Sequence, residues 1–503
     1  MSSNIRFQRH MIIDSEHHER QPVAVLGRIG QGTMQIMMGR MVLFAAGYFV
    51  AMLLARRLGP ADYGAYGIIL SVVLWIEAIG DFGIPEAATK LIPEDENRAS
   101  TVENTTQTLL LIVFLFLFIA SWLSAPILAR VFQLPQGSDL FRLAILDIPF
   151  TGIYFAYQGI LTGRQKFGAI SKGLAVYGLT KLIVILIALL LGLSIAWALI
   201  ANVLATVGAF LSLTFNLSPR TFRPLFVDAK LILHLAFPIA LLLLGTQILW
   251  NMDLWCLKII GSERAETIGI YVAALNVAKV PTTAFSAVNV VILSALSMAL
   301  AQKNRAAMEG CVRGAGRFLW VTVLPSCVLV LLTGEDLLKL LFSQSYSAGA
   351  SFLGLQIFAF ALFVAAQAFN EMLIARGNAF LAAGATLLHV PLALVFYLTL
   401  IPSFGAIGAA IALVLTAFCN AAVSGVLVYV RLGALIESST FVKGVLATAL
   451  MALVCLEITW TGPWLLIKYF LLLSVYGLAL LALGELKWDD LRLIGWPVVE
   501  QHP

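Results

Sequence analysis

Charge is scarce in this chain of 503 residues, of which 12% are charged and 60% are hydrophobic. An average soluble domain carries roughly twice that share of charge, so a water-soluble protein of this length is excluded. The five cysteines are isolated in the sequence, which excludes the paired spacing of a zinc or redox site. We interpret them as packing residues and predict no metal site.

Long polar segments and nucleotide-binding motifs are also missing. The loops between apolar runs are too short for a folded soluble domain, which needs roughly 50 residues or more. No Gly-x-x-x-x-Gly-Lys-Ser/Thr loop occurs. These absences exclude an attached ATPase or glycosyltransferase domain. We therefore predict no catalytic residues and no cofactor, with an H⁺ or Na⁺ gradient as the candidate energy source.

What the chain does contain is a series of fourteen apolar runs, each near the ~20 residues that a bilayer crossing needs. They lie near 36–55, 65–88, 107–129, 140–162, 170–192, 195–217, 230–256, 267–297, 315–333, 350–374, 380–401, 405–430, 441–459 and 464–484. Backbone groups in hydrocarbon must be hydrogen-bonded within their own segment. The runs therefore predict an all-α polytopic membrane protein with about 14 transmembrane helices.

Lysine and arginine divide unequally between the two sides of these helices. If the N-terminus is cytoplasmic, twenty-two of them fall in or beside inner loops and eight in outer loops. Such an excess on the cytoplasmic side follows the positive-inside rule. We therefore predict that both termini are cytoplasmic. The net charge of +5 reflects this topology, and we predict no nucleic-acid partner.

Segments of the first half recur in weaker form in the second half. Residues 54–66 are echoed at 257–271, so that Gly64 corresponds to Gly269. Duplicated halves are typical of transporters with a central site that opens to either side. A second pair of segments agrees with this repeat: residues 160–167, which include Arg164, and residues 372–380, which include Arg376.

The repeat and the hydropathy together predict the domain organisation. We expect two pseudo-repeated six-helix bundles around a central cavity, followed by a helix pair. The predicted segments are a polar cytoplasmic tail (1–35), an N-terminal bundle (36–217), a cytoplasmic linker (218–229), a C-terminal bundle (230–430), an extra helix pair (431–484) and a cytoplasmic tail (485–503).

One motif carries a family resemblance. The segment Leu58-Gly59-Pro60-Ala61-Asp62-Tyr63-Gly64-Ala65-Tyr66 is followed by Asp81-Phe82-Gly83-Ile84-Pro85. It resembles the signature region of bacterial polysaccharide exporters. These are the O-antigen-type lipid-linked oligosaccharide flippases of the multidrug/oligosaccharidyl-lipid/polysaccharide (MOP) exporter superfamily. Helix number, repeat and trailing helix pair extend the resemblance over nearly the whole chain.

The resemblance implies a transporter of the inner membrane. It would flip undecaprenyl-pyrophosphate-linked oligosaccharide repeat units for lipopolysaccharide or exopolysaccharide biosynthesis, by alternating access of its two bundles. The partners implied are the lipid-linked oligosaccharide, membrane lipid and the polysaccharide polymerase machinery. We expect a monomer.

Charged side chains at hydrocarbon depth are costly and therefore mark candidate sites. We assign the cations to a cavity for an anionic head group: Arg40, Arg56, Arg57, Lys181 and Lys279. We assign three acids and a hinge proline to coupling or gating: Glu77, Asp81, Asp147 and Pro281. Glu77 and Lys279 occupy similar depths, which suggests a direct pair. Asp253 lies near the end of its run and is assigned to the interface. The structural alternatives are internal salt bridges and, for Arg56 and Arg57, interfacial snorkelling.

Three alternative functions stay open on the sequence. A flippase for the peptidoglycan lipid precursor would have the same fold. A multidrug/cation antiporter is less favoured, because that branch usually has twelve helices and lacks the Leu-Gly-Pro loop. A polysaccharide polymerase, which is an enzyme, is disfavoured because the predicted outer loops are short and hold no histidine.

Overall fold

The structure, a computed structural model, describes residues 2–134, 137–216, 223–261, 263–280, 296, 305–433 and 438–486, with side chains from residue 34 onward. Every regular element within these residues is a helix. The α-helices are α1 (Ser2–Asp81), α2 (Ile84–Glu94), α3 (Glu96–Val131), α4 (Gly137–Ile145), α5 (Asp147–Gly163), α6 (Phe167–Leu191), α7 (Ile195–Thr214), α8 (Ala229–Ile260), α9 (Ala265–Ala278), α10 (Arg305–Leu341), α11 (Ala350–Ala375), α12 (Ala379–Leu432), α13 (Ser438–Glu457) and α14 (Leu465–Ala482). Short 3₁₀ helices occupy Gln344–Gly349 and Gly462–Trp464.

The helices confirm an all-α polytopic membrane protein. Within the described ranges, eleven helical stretches are long and apolar enough to cross a membrane. Two of them, Met34–Glu94 and Ala379–Leu432, have 61 and 54 residues, and each contains two of the predicted runs. The predicted run 267–297 is represented by the shorter apolar helix Ala265–Ala278, and the rest of it lies almost entirely outside the described residues. The described helices thus fit the expected span number.

The two longest helices, α1 and α12, are each interrupted at a glycine. Gly59 has φ 76° and ψ 170°, a conformation that glycine adopts readily, and the helix resumes at Pro60. Gly405 breaks α12 in the same way, at φ 57° and ψ −134°. The loops predicted at these points are therefore single-residue kinks. Residues 2–35, predicted as a polar tail, continue α1 as helix.

The chain divides into two compact units. Unit 1 comprises Met1–Ala51, Gly83–Leu123 and Arg142–Ala236. Unit 2 comprises Met52–Phe82, Ser124–Phe141 and Phe237–Pro503. Residues 52–82 and 124–141, which the sequence assigns to the N-terminal bundle, thus group with unit 2. The boundaries of the two six-helix bundles stay predictions.

Small residues let the helices of unit 1 approach closely. The alanines at 198, 201, 205 and 209 of α7 are fully buried and recur at helical spacing along one face. In a membrane, helix association depends on close packing rather than on hydrophobicity, so small side chains are favoured at contacts. The packed face of α7 also carries Asn202, which is 4% exposed. A polar residue is thereby fixed inside the unit.

The second pair of repeated segments has the same local structure in both copies. After α5, the backbone N–H groups of residues 164, 165 and 166 donate to the carbonyls of 160, 162 and 161. After α11, residues 376, 377 and 378 donate to 372, 374 and 373 in the same order. The middle residue is left-handed in both turns, with φ 55° at Gln165 and 84° at Gly377. This correspondence between the two halves is confirmed.

Ion pairs tie down several helix ends. In unit 1, Arg164 pairs with Glu103 and Arg98 pairs with Asp228. In unit 2, the buried Glu485 receives Arg317 at 3.0 Å and Lys443 at 3.3 Å. The four cations belong to the loops or helix ends predicted to be cytoplasmic. Besides their predicted effect on topology, they connect elements that are distant in the sequence.

Candidate functional site

The first candidate site is a buried polar network in unit 1, the Asn202 network, formed by Asp147, Tyr177, Lys181 and Asn202. The Asn202 amide nitrogen donates to the Asp147 carboxylate. The Asn202 amide oxygen accepts from Lys181 Nζ at 2.8 Å and from the Tyr177 hydroxyl at 2.9 Å. One amide therefore connects an ammonium and a carboxylate that the sequence assigned to different roles.

Three helices position this network. Asp147 is the first residue of α5 and is 2% exposed, and Asn202 lies within α7. Tyr177 and Lys181 are four residues apart on α6, so they share one face of that helix. Lys181 Nζ also lies 5.8 Å from the centre of the Tyr177 ring. The sequence found Lys181 and Asp147 by their charge but missed the neutral residue between them.

The second candidate site, in unit 2, surrounds Asp253 on α8. Asp253 is fully buried, so protein covers its carboxylate although it lies near the end of its apolar run. The Tyr271 hydroxyl donates to Asp253 Oδ2 at 2.8 Å, and Lys279 interacts electrostatically with the same carboxylate. Lys279 is half-buried at the end of α9, and its Nζ lies 5.4 Å from the centre of the Phe360 ring. A cation and an acid are thus brought together inside unit 2.

The two glycines matched by the repeat lie against each other in unit 2. A Cβ atom on Gly64 would stand 2.8 Å from the Gly269 nitrogen and 3.2 Å from the Ala265 carbonyl oxygen. A Cβ atom on Gly269 would collide with the Pro60 carbonyl. The second part of α1 and the start of α9 therefore cross in backbone contact, which only glycine permits. Near this crossing, Asn276 Nδ2 donates to the Tyr63 hydroxyl at 2.8 Å.

The remaining predicted residues are distributed over both units. Arg56 donates from Nε to the Leu341 carbonyl at 3.0 Å and from its terminal nitrogen to the Leu340 carbonyl. It thereby stabilises the C-terminal end of α10, where carbonyl groups lack helical donors. Of the other predicted residues, Arg57 is exposed, Arg40 and Asp81 are half-buried, and Glu77 is 5% exposed. Pro281 lies outside the described residues.

Lys279 and Asp253 are expected to be energetically coupled. Replacing Lys279 with methionine leaves a fully buried carboxylate without its cation, whereas adding Asp253→Asn removes the charge that needs one. We expect the double variant to recover stability, with a coupling of about 1–3 kcal/mol. Thermal unfolding of both single variants and the double variant in nanodiscs measures it. The same cycle with Glu77→Gln is the control, and equal or larger coupling there would favour the predicted Glu77–Lys279 pair instead.

Comparison with known proteins identifies the family. The model of a polysaccharide biosynthesis protein family matches residues 53–351, more than half of the chain. The chain belongs to this polysaccharide biosynthesis protein family. None of the curated proteins matches it significantly.

Solved structures show which fold this member of the polysaccharide biosynthesis family adopts. A lipid II flippase, MurJ, in an inward closed conformation has a TM-score of 0.75 at 16% identity, covering 92% of this chain and 99% of that one. An inward-facing multidrug resistance MATE transporter of the MOP superfamily has a TM-score of 0.66 at 15% identity, covering 80% and 98%. A MOP superfamily transporter from Pyrococcus furiosus has 0.61 at 15%, covering 81% and 95%. The protein therefore has the same fold as these solved structures, as the family resemblance predicted.

Proposed function

We propose that this protein flips undecaprenyl-pyrophosphate-linked oligosaccharide repeat units across the bacterial inner membrane for surface polysaccharide biosynthesis. The match of residues 53–351 to a polysaccharide biosynthesis family carries the proposal. The fold supports it, because 92% of the chain resembles a structure that is named as a lipid II flippase. Alternating access would load the head group at the cytoplasmic side and release it outside, while the lipid tail stays in the bilayer. Both termini would lie in the cytoplasm.

Two half-buried lysines fit an anionic head group. A pyrophosphate must pass hydrocarbon, and fixed positive charges lower the barrier to that passage. Lys181 and Lys279 are each within reach of one buried carboxylate, Asp147 and Asp253. In the proposed transport cycle, Lys181 would exchange the Asn202 amide oxygen, and Lys279 the Asp253 carboxylate, for a phosphate oxygen of the head group. The acids in turn are candidates for coupling to an H⁺ or Na⁺ gradient.

The peptidoglycan lipid precursor is the second candidate substrate, since MurJ is named as a lipid II flippase and resembles nearly the whole chain. Its head group also joins a pyrophosphate to sugars, so the same cations would serve it. The multidrug alternative rests on the MATE structures and would require a cationic substrate to bind beside Lys181 and Lys279. We expect the working protein to be a monomer that contacts the polymerase machinery.

Proteoliposomes test the proposal directly. We expect the wild-type protein to translocate a purified undecaprenyl-pyrophosphate oligosaccharide. Lys279→Ala should lower the initial rate at least about tenfold, which corresponds to a transport barrier higher by about 1.4 kcal/mol. Arg305→Ala is the matched control: Arg305 is 81% exposed and pairs with Glu309, so the rate should be unchanged. Translocation of lipid II but not of the oligosaccharide lipid by the wild type would replace the proposed substrate with the peptidoglycan precursor.

A further inference from the structure

Unit 2 contains a cavity of about 360 Å³ that neither candidate site uses. It lies between α8, α11 and the second part of α12, and its volume falls in the range of small-ligand pockets, roughly 300–1,000 Å³. Trp250 and aliphatic side chains of α8 form one wall. The opposite wall carries side-chain amides from α11 and α12. The cavity therefore combines an aromatic surface with hydrogen-bonding groups.

One of these amides lacks a partner for its oxygen. Asn420 is 4% exposed and lines the cavity, and its Oδ1 has no hydrogen-bond partner within the ranges that the structure describes. A buried carbonyl oxygen without a donor is costly and calls for an explanation, such as a bound ligand. The neighbouring Asn370 is different: it donates to Thr386 and accepts from Ser424, both at 3.1 Å. Asn370 is fixed, and Asn420 is left as the acceptor.

The charges around the cavity limit what it can bind. None of the described lining residues is a lysine, arginine or histidine, and Glu371 is the acid among them. Gln367 donates to Glu371 at 3.2 Å, which holds that carboxylate at the wall. A pyrophosphate or an acidic sugar would meet an acid and no cation here. A neutral group with hydroxyl donors suits these walls better.

A neutral sugar ring has the matching chemistry. When the Asn420 side chain turns its buried oxygen toward the cavity, a sugar hydroxyl can donate to Oδ1, while the apolar C–H face of the ring packs on the indole of Trp250. That indole is held edge-on by Phe360, with ring centres 5.9 Å apart and an angle of 76° between the planes. A rigid aromatic wall and a few placed polar groups are the usual means of fixing a small ligand.

We propose that this cavity is a subsite for a neutral sugar ring of the transported head group, in which Asn420 accepts a hydrogen bond from a sugar hydroxyl. The inference rests on the proposed function, since it names the part of that substrate which unit 2 recognises. It assigns the sugar and the pyrophosphate to different groups of unit 2: the cavity, whose described lining has no cation, to the sugar, and Lys279 to the phosphates.

The test compares two lipids that differ only in the sugar. The full chain in nanodiscs is titrated with undecaprenyl pyrophosphate carrying a neutral hexose trisaccharide, and with undecaprenyl pyrophosphate alone. We expect the wild type to bind the glycosylated lipid about tenfold more tightly. Asn420→Leu should abolish that difference without changing the affinity for the bare lipid, and Asn420→Ser, which keeps an acceptor, should retain part of it. The factor corresponds to one good hydrogen bond.

Thr399→Ala is the control on α12, because Thr399 is exposed and, within the described residues, its hydroxyl bonds only the Val395 and Phe396 carbonyls of its own helix. It should bind both lipids as the wild type does.

Equal weakening of the binding of both lipids by Asn420→Leu and Asn420→Ser would make Asn420 structural and overturn the subsite. A change in Na⁺ dependence with the sugar preference intact would make the cavity a cation site, and a wild type that binds both lipids equally, or neither, also overturns the proposal. Preference for the glycosylated lipid without translocation in proteoliposomes would keep the subsite and reject the flippase.

Discussion

Replacement of Gly269 with valine is expected to abolish transport and to lower the free energy of unfolding by about 3 kcal/mol, the upper part of the usual range for overpacking. The added Cβ atom would collide with the Pro60 carbonyl, which is backbone and cannot move aside as a flexible side chain does. The second part of α1 and the start of α9 would have to separate. Gly64→Ala is expected to act in the same direction, because its Cβ would stand 2.8 Å from the Gly269 nitrogen.

Thermal unfolding in nanodiscs and flipping in proteoliposomes measure this effect. Gly314→Ala is the control: a Cβ atom there meets nothing within 4 Å in the part of the chain that the structure describes. Because alanine is the better helix former, we expect that variant to be neutral or more stable by up to about 1 kcal/mol. Wild-type unfolding and transport by Gly269→Val would mean that the two helices do not cross at this point.

The sequence predicted the correspondence of Gly64 and Gly269 but not their contact. Equivalent positions in two repeats have similar residue types at similar spacing, so short segments of the sequence are enough to identify them. Contact between the same residues is a property of how helices pack, which a single sequence does not encode at any one position. The turns after α5 and α11 could be predicted as equivalent because their hydrogen bonds involve only neighbouring residues.

The sequence predicted those residues of the two candidate sites that carry a charge within an apolar run. Lys181, Asp147 and Glu77 are conspicuous in apolar runs, and the structure buries Asp147 and Glu77. The partners were missed for two reasons. Asn202 is neutral and lowers hydropathy only slightly, although an amide in the middle of an apolar run was a usable signal. Asp253 lies near the end of its run, where distance along the chain suggested exposure, but neighbouring helices cover it completely.

The helix boundaries were predicted less accurately than the charged residues. Hydropathy predicted loops between the first two runs, and again between 380–401 and 405–430. The chain instead turns at single glycines, Gly59 and Gly405. Composition could not separate a loop from a kink, because Gly-Pro and Gly-Ala sequences occur in both. The fold class was insensitive to this error, since a kinked helix still crosses the membrane as two spans.

Asn202→Leu is expected to destabilise unit 1 by about 3 kcal/mol, because a hydrogen bond to a charged group contributes up to about that much and a buried carboxylate left without its donor is costly. The Asn202 amide donates to Asp147 and accepts from Lys181 and Tyr177, so leucine removes three hydrogen bonds with one substitution. Asp147 is 2% exposed and cannot regain water as compensation.

Chemical unfolding of the variants in detergent separates this network from ordinary packing. Ser212→Ala is the control on the same helix, because the Ser212 hydroxyl bonds only the Ala209 carbonyl among the described residues and its removal should cost little. Adding Asp147→Asn to Asn202→Leu should recover part of the lost stability, since it removes the carboxylate that leucine leaves without its amide donor. A loss for Asn202→Leu no larger than that for Ser212→Ala would show that the buried charges do not depend on the amide. Lys181 and Asp147 would then act as a direct pair, and the bridging role assigned to Asn202 would be wrong.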